Sequence, residues 1–318
     1  MSGQPILVTG MPRSGTTWLA HMLAAAGGLV YVNEPLNPNH PPGGFPGVLN
    51  ARVEHRFQYI CDDNDERFRP AYRDLMRLRY HPLAELRQNH RLADVPRQAR
   101  HAAMFTAGRL GRRRVLVADP YAVFSIPWFS RLGFRIVVIV RRPVAAVSSR
   151  KRLGWIFEPE ELRRQSLLVR DVLDPLEIAT GPAREPREER IIDTGALLWA
   201  AIHRSVAASQ DSLGDALVVV RHEDLSREPQ AEFARLYDQL GLSFGERSAR
   251  QIERATTAAT AETPVGDPHA VRLDSRANLE NWRHRLTAAE VGRIEELTTP
   301  AAERFYPVVD DSGAARRI

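Results

Sequence analysis

The stretch Gly10-Met11-Pro12-Arg13-Ser14-Gly15-Thr16-Thr17 decides the fold of this 318-residue chain, because it nearly matches a nucleotide-binding P-loop. The pattern of that loop is G-x-x-x-x-G-K-[ST], and Thr16 stands at the lysine position. An apolar β-type run over Pro5–Thr9 precedes the loop, and a helical pattern over Thr17–Ala24 follows it. Backbone N–H groups and the helix dipole attract anions to a helix N-terminus. We therefore expect the loop to bind phosphate without the ammonium group that bridges β- and γ-phosphates.

The rest of the chain alternates apolar runs with helical patterns. The runs are Ile6–Thr9, Val115–Ala118, Ile136–Val140 and Leu217–Val220, with Val30–Val32 as a short fifth candidate. Near-continuous apolar strands between helices indicate an α/β fold, in which helices flank both faces of a central parallel β-sheet. The length and the 43% hydrophobic content suit a single domain over residues 1–318. The Arg-rich helical segment 35–110 is expected to form a helical cap that binds the acceptor.

The composition narrows the ligands. The net charge of +5 favours anionic ligands, but the arginines are dispersed and lack interleaved aromatic residues, which argues against nucleic acid. Arg112–Arg114 is a tight basic run, either a solvated strand start or a polyanion-binding patch. Lys151 is the only lysine among 44 basic residues, so no displaced P-loop lysine is available elsewhere in the sequence.

Other chemistries find little support. Cys61 is the only cysteine, which excludes an intrachain disulfide, and its acidic neighbours are expected to raise the pKa of its thiol. The ten histidines show no metal-ligand spacing, so no metal is expected. No apolar run approaches 18 residues, so no membrane span is predicted, and we expect a cytoplasmic protein. The sequence does not indicate an oligomeric state.

A second segment carries anion-binding chemistry. The apolar strand ending at Val140 runs directly into Arg141 and Arg142, and Pro143 suits a helix start. Side chains at the carboxyl end of a parallel strand face the crevice where open α/β sheets bind ligands. Ser149 lies about two helical turns after Arg141, so both could reach one phosphate. The alternative is a surface arginine pair followed by a capped helix.

These two segments together resemble the sulfotransferases that use 3′-phosphoadenosine 5′-phosphosulfate (PAPS). The resemblance implies a P-loop NTPase-like sulfotransferase fold and PAPS as co-substrate. It also implies that Arg141 and Ser149 bind the 3′-phosphate. The residues implied at the 5′-phosphosulfate are Arg13, Ser14, Gly15, Thr16, Thr17 and Trp18. Trp18 can equally belong to the core or stack on the purine.

Two later segments extend the resemblance. Val219–Leu225 resembles the strand end of the family that reads Y-E-D-L, and His222 replaces its tyrosine near the adenine. Ser275–Arg283 resembles the C-terminal loop that closes over the 3′-phosphate, which implies contacts from Arg276 and Ser275.

The transfer of a sulfuryl group needs a general base for the acceptor and positive charge at the leaving group. The stretch Val115–Tyr121 lacks the histidine base of the small-molecule branch. The carbohydrate and tyrosylprotein branches carry a glutamate after the first helix, and Val32–Pro38 resembles that element. The resemblance thus implies Glu34 as base, Arg13 beside the leaving phosphate, and a glycan or glycosylated metabolite as acceptor. Asp119 stays open as the other candidate base.

Two rival functions remain at this point. A P-loop kinase or NTPase would use Asp119, at the end of an apolar run, to hold Mg²⁺. A non-enzymatic nucleotide-binding scaffold would explain the sheet and the anion loop without any role for Glu34. Transfer of sulfate from PAPS separates the enzyme from both rivals.

Overall fold

The computed structural model of the protein describes residues 3–39, 46–87, 94–178, 187–256 and 276–307. Its centre is a parallel sheet of five strands in the order β2-β3-β1-β4-β5. The strands are β1 Ile6–Gly10, β2 Leu29–Asn33, β3 Arg114–Ala118, β4 Arg135–Val140 and β5 Leu217–Arg221. The predicted α/β class with a central parallel sheet is therefore confirmed, and Val30–Val32 does belong to a fifth strand.

Helices cover both faces of the sheet. They are α1 Thr16–Ala24, α2 Phe68–Met76, α3 Pro82–Leu86, α4 Asp94–Leu110, α5 Ile126–Arg131, α6 Pro143–Leu153, α7 Glu160–Arg163, α8 Ser166–Leu168, α9 Arg187–Leu213, α10 His222–Arg227, α11 Pro229–Gln239, α12 Glu246–Thr256 and α13 Ala288–Ala302. Short 3₁₀ segments lie at Pro120–Ser125, Gly214–Ala216, Ala277–Leu279 and Asn281–His284, and a π-helical turn lies at Val169–Leu173. None of the helices in the described ranges is long and apolar enough to cross a bilayer.

Alternation along the buried strands divides the core into two layers. Ile6 and Val8 of β1 belong to an apolar cluster with residues of α1, α11 and α12. Leu7, between them, belongs to the cluster on the other face, with residues of α2, α5 and α9. Because successive side chains of a strand point to opposite faces, a strand buried on both faces must be apolar throughout. This explains the uninterrupted apolar runs in the sequence.

The strand order places the loop after β1 at a switch point of the sheet. From β1 the chain goes to β2 at the edge and returns through β3, while β4 pairs with β1 on its other side. Gly10 is in register with Ile139, so the segments that follow β1 and β4 emerge side by side. A crevice at such a switch point is where open α/β sheets bind ligands.

Segment 35–110 contains α2, α3 and α4 in its described part, and residues 46–67 ahead of α2 are turns. Its role as an acceptor-binding cap stays a prediction. The long helix α9 begins at Arg187. A capping box starts α13, since the Thr287 side chain accepts from the Glu290 N–H and the Glu290 carboxylate accepts from the Thr287 N–H.

The basic run Arg112–Arg114 lies at the amino end of β3, and therefore at the opposite end of the parallel sheet from the loop. Arg114 binds the chain itself, because its Nε donates to the carbonyl of Gln4 at 2.7 Å. Arg112 and Arg113 line a surface depression. Both interpretations of this run stay open, and neither concerns the crevice at the carboxyl ends.

Candidate functional site

The loop between β1 and α1 has the backbone of an anion cradle. Gly10 and Gly15 have positive φ angles of 150° and 103°, and Arg13 has a φ of 81°. Gly15 caps α1 without a side chain, and the first turn of α1 has no acidic residue. The N–H groups of that turn therefore face the loop without a carboxylate to neutralise them, as anion binding requires.

Close packing of β4 fixes the start of the loop. A Cβ atom at Gly10 would lie 2.3 Å from the carbonyl oxygen of Ile139, far inside van der Waals contact. Only glycine fits this position, because it also tolerates the positive φ. The P-loop motif begins with a glycine, and the close approach of the Ile139 carbonyl explains why position 10 needs one.

The two anion-binding segments predicted from the sequence meet. Arg13 Nε donates to Ser149 Oγ at 3.2 Å, and Arg141 donates through Nη1 to the Arg13 carbonyl at 3.0 Å. Burial, and then the charge of Arg141, lower the pKa of Arg13 to about 10. Arg13 therefore remains a cation at neutral pH. The structure thus brings Arg13, Arg141 and Ser149 into one cluster, which we call the arginine–serine cluster.

Several buried polar atoms near the loop have no hydrogen-bond partner among the described residues. Two of them are Ser14 Oγ, in a fully buried residue, and Arg141 Nε, in a residue that is 7% exposed. Leaving a buried donor unsatisfied costs about 1–3 kcal/mol. Such groups are typical of a site that an anion satisfies when it binds.

A network that the sequence did not indicate holds Arg141 in place. The indole N–H of Trp199, on α9, donates to the Arg141 carbonyl at 2.9 Å. Glu223 accepts from the Arg142 N–H at 2.9 Å and from the Tyr306 hydroxyl at 2.8 Å. These contacts join segments more than 50 residues apart, so no local pattern could have revealed them.

His222 and Trp18 lie buried behind the loop. Their ring centroids are 5.5 Å apart, and a Cβ at Gly15 would lie 3.0 Å from His222 Cδ2. Trp18 is 8% exposed and also packs edge-on against Phe233. Burial, and then the charge of Arg141, lower the pKa of His222 well below its usual range, so the ring is neutral. The predicted purine contacts of both residues stay predictions. Thr16 is buried and Thr17 half-buried in the first turn of α1.

Of the two predicted C-terminal contacts, the structure describes Arg276. Arg276 is exposed and donates to the carbonyl of Arg227, at the end of α10. Ser275 lies outside the described residues. The role expected of both at the 3′-phosphate stays a prediction.

Glu34 lies buried in a tight turn at the end of β2. It is 6% exposed, its φ is 44°, and its N–H donates to the Ala118 carbonyl at 2.7 Å. Asn37 Nδ2 donates to Glu34 Oε2 at 2.7 Å. The charge of Glu34 also raises the pKa of Arg13, against the larger effect of burial, so carboxylate and guanidinium interact. Glu34 is therefore a buried residue and not a solvent-facing turn residue, and its role as the base stays a prediction.

Asp119 holds the turn that carries Glu34. Its two carboxylate oxygens accept from the backbone N–H groups of Leu36, at 2.7 Å, and Tyr121, at 2.9 Å. Asp119 is fully buried, and burial raises the pKa of its carboxyl well above the usual range. Both oxygens are thus engaged with the backbone, which favours a structural role for Asp119 over that of a base or a magnesium ligand.

Other features also disfavour a kinase or NTPase. Lys151 Nζ binds Glu290 Oε1 at 2.7 Å, so it does not supply the missing lysine of the loop. Among the described residues, no three His, Cys, Asp or Glu side chains are grouped as metal ligands.

Cys61 is buried, and burial raises the pKa of its thiol more than its acidic neighbours do.

A cavity of about 390 Å³ opens beside the loop. Its lining residues are Pro12, Asn39, Arg56, Phe57, Tyr121, Arg150, Gly154, Trp155, Ile156 and Phe157. Pro12 belongs to the loop and Arg150 follows Ser149, so the cavity adjoins the arginine–serine cluster. Sequence reasoning missed Arg56 and Arg150, and the only signal for Arg150 was its place directly after Ser149.

Comparison with known proteins agrees with the resemblance drawn from the motifs. The model described as the sulfotransferase family matches residues 5–246, about three quarters of the chain. Human carbohydrate sulfotransferase 5 is 31% identical over 85 residues, which are 27% of this chain and 21% of that protein. Human carbohydrate sulfotransferase 6 is 35% identical over 88 residues, which are 27% of this chain and 22% of that protein. The matched region thus spans about a fifth of the length of these relatives.

Among solved structures, the chain is similar to the sulfotransferase domain from the Synechococcus PCC 7002 olefin synthase. It is 17% identical, covers 96% of each chain, and has a TM-score of 0.46. The predicted family is confirmed by the family match, and enzymes of this family are sulfotransferases.

Proposed function

Because this chain belongs to the sulfotransferase family, we propose that it transfers the sulfuryl group of PAPS to a hydroxyl group of a glycan or glycosylated metabolite. PAPS supplies the sulfuryl group on its 5′-phosphate. The observation that carries the proposal is the arginine–serine cluster. It joins the loop after β1 to the segment after β4 through Arg13, Ser149 and Arg141.

The residues present fit the two anionic ends of the donor. The N–H groups of α1 and the unpartnered Ser14 Oγ suit the 5′-phosphosulfate. Arg141, with its unpartnered Nε, and Ser149 suit the 3′-phosphate. A loop without lysine is adequate for this donor, because no β,γ-phosphate pair has to be bridged.

The chain's residues divide the work of the reaction. Glu34 accepts the proton of the acceptor hydroxyl as the new oxygen–sulfur bond forms. Arg13 stabilises the negative charge that grows on the 5′-phosphate as its bond to sulfur breaks. The negative charge of Glu34 raises the pKa of Arg13, against the larger effect of burial, and so helps to keep Arg13 a cation beside the leaving phosphate. No residue of the chain forms a covalent bond in this scheme.

Three observations support a carbohydrate acceptor. The Glu34-Pro35 element resembles the carbohydrate branch, and both human relatives are named carbohydrate sulfotransferases. The cavity beside Pro12 is lined by aromatic rings, which suit the apolar faces of sugar rings.

Transfer of labelled sulfate from PAPS to a panel of glycosides tests the proposal, with Glu34→Gln as the decisive variant. Loss of the base should lower kcat by about 10²–10⁴-fold. The affinity for 3′-phosphoadenosine 5′-phosphate (PAP), measured by calorimetry, should change less than threefold, because Glu34 contacts the acceptor side.

Glu66→Gln is the matched control, because Glu66 is exposed and distant in sequence from the loop. Its activity should equal that of the wild type. Unchanged turnover of Glu34→Gln would contradict the assignment of the base. Tight PAP binding without transfer to any glycoside would favour the nucleotide-binding scaffold instead.

A further inference from the structure

The cavity beside the loop contains a cation that the donor site does not use. Arg150 is only 4% exposed and lines the cavity. Its Nη2 donates to the Trp155 carbonyl at 3.4 Å, and its Nε has no hydrogen-bond partner in the described part of the chain. A buried guanidinium with unsatisfied donors is costly unless a bound anion completes it.

The charged side chains around Arg150 leave the cavity with an excess of positive charge. Burial, and then the charge of Arg56, lower the pKa of Arg150 to about 10. Arg56 also lines the cavity, and its Nε lies 3.8 Å from Glu161 Oε2. Two guanidinium groups therefore share one carboxylate, and Glu161 is not among the lining residues. The imbalance corresponds to one negative charge.

Aromatic residues make up half of the other residues that line the cavity. Phe57, Tyr121, Trp155 and Phe157 line the cavity, and Trp155 is 37% exposed. The guanidinium of Arg13 lies 5.9 Å from the centroid of the Trp155 ring. A ring-shaped ligand placed against these side chains would therefore lie beside the residue proposed to support the leaving phosphate.

We propose that the acceptor carries a carboxylate, as a sugar acid does, and that Arg150 and Arg56 bind this group. A guanidinium fork matches the two oxygens of a carboxylate, and a single charge matches the imbalance in the cavity. The aromatic wall holds the sugar ring, and a hydroxyl of that ring faces the loop. This assignment rests on the proposed function and specifies its acceptor.

The test compares two probes that differ only in this group, 4-nitrophenyl β-D-glucuronide and 4-nitrophenyl β-D-glucoside. Their affinities are measured by calorimetry on the PAP-bound protein, so no transfer is needed. The wild type should bind the glucuronide at least tenfold more tightly. Arg150→Gln should remove this preference, and Arg56→Gln should reduce it about threefold.

Arg164→Gln is the matched control, because Arg164 is an exposed arginine outside the cavity, and it should keep the full preference. Unchanged PAP affinity in each variant shows that the protein is folded. Because Arg56 is half-exposed, Arg56→Gln tests the idea even if Arg150→Gln does not fold. Equal affinities for the two probes, or no binding of either, would overturn the inference while leaving sulfate transfer to other acceptors intact.

Discussion

The proposed donor side and the proposed acceptor side of the crevice are built in different ways. The donor side uses two short continuous segments, Gly10–Thr17 and Arg141–Ser149, which follow neighbouring strands. The acceptor cavity gathers Arg56, Tyr121 and Arg150 from three separate regions of the chain. A site made of continuous segments depends on backbone geometry that local sequence dictates. A site made of scattered side chains depends on tertiary packing.

The largest effect should come from Gly10→Ala, which attacks the backbone of the donor side. The added Cβ would meet the Ile139 carbonyl oxygen at 2.3 Å, so β1 and β4 must separate. We expect a loss of at least about 3 kcal/mol in the free energy of unfolding, and no measurable PAP binding. Urea denaturation and calorimetry measure the two effects.

Gly133→Ala is the control for backbone strain alone. Gly133 also has a positive φ, of 98°, but nothing lies within 4 Å of a Cβ placed there. Its cost should be about 1 kcal/mol, with PAP affinity unchanged. Equal costs for the two variants would show that strain, not the contact with β4, requires Gly10.

The next effect concerns a side chain of the donor side. Arg141→Gln removes a buried guanidinium whose Nε is unpartnered, and PAP affinity should fall about 100-fold, or about 2.7 kcal/mol. The neighbouring Arg142 is exposed, so Arg142→Gln should change PAP affinity less than threefold. Similar losses in both variants would mean that general positive charge, not the arginine–serine cluster, attracts the donor.

The same contrast explains how much the sequence revealed. The alternating apolar runs predicted the parallel sheet, and the P-loop pattern and the strand ending at Val140 predicted two anion-binding segments, which carry Arg13, Arg141 and Ser149. Each prediction used residues that are close in sequence. The spacing of such residues determines the direction in which their side chains point. Parallel strands then bring their carboxyl ends to one edge without further information.

The sequence could not reveal the hydrogen bonds that hold Arg141 and Arg142 in place, or the cavity beside the loop. Tyr306 reaches Glu223 across 83 positions, and Trp199 reaches Arg141 across 58. Such contacts depend on how helices pack, and single residues in helices carry no trace of their distant partners. For the same reason, the helical pattern around Arg150 did not show that its side chain lines the cavity.

The smallest predicted effect concerns α9, the helix whose Trp199 donates a hydrogen bond to the Arg141 carbonyl. His203 belongs to α9 and is 1% exposed. Its ring stacks on that of Trp199 with the centroids 3.6 Å apart, and its Nδ1 lies 2.7 Å from the Trp199 carbonyl oxygen. Burial lowers the pKa of His203 to about 3, from an ordinary value of 6.5. The folded protein thus holds this ring neutral, while the unfolded chain binds a proton below pH 6.5.

Stability from this group is therefore complete above pH 6.5 and decreases as the pH falls toward 3. The slope should be about 1.4 kcal/mol per pH unit, or about 2 kcal/mol by pH 5. His203→Phe keeps a ring on Trp199 but cannot titrate, so its unfolding free energy should fall less steeply between pH 7 and pH 5. His222, which is also buried and neutral, leaves the variant with a residual slope. Identical pH profiles for the wild type and His203→Phe, from urea denaturation at both pH values, would show that His203 is not held neutral. Burial also lowers the pKa of His21 and His222, so the acid sensitivity would then be sought at those two rings.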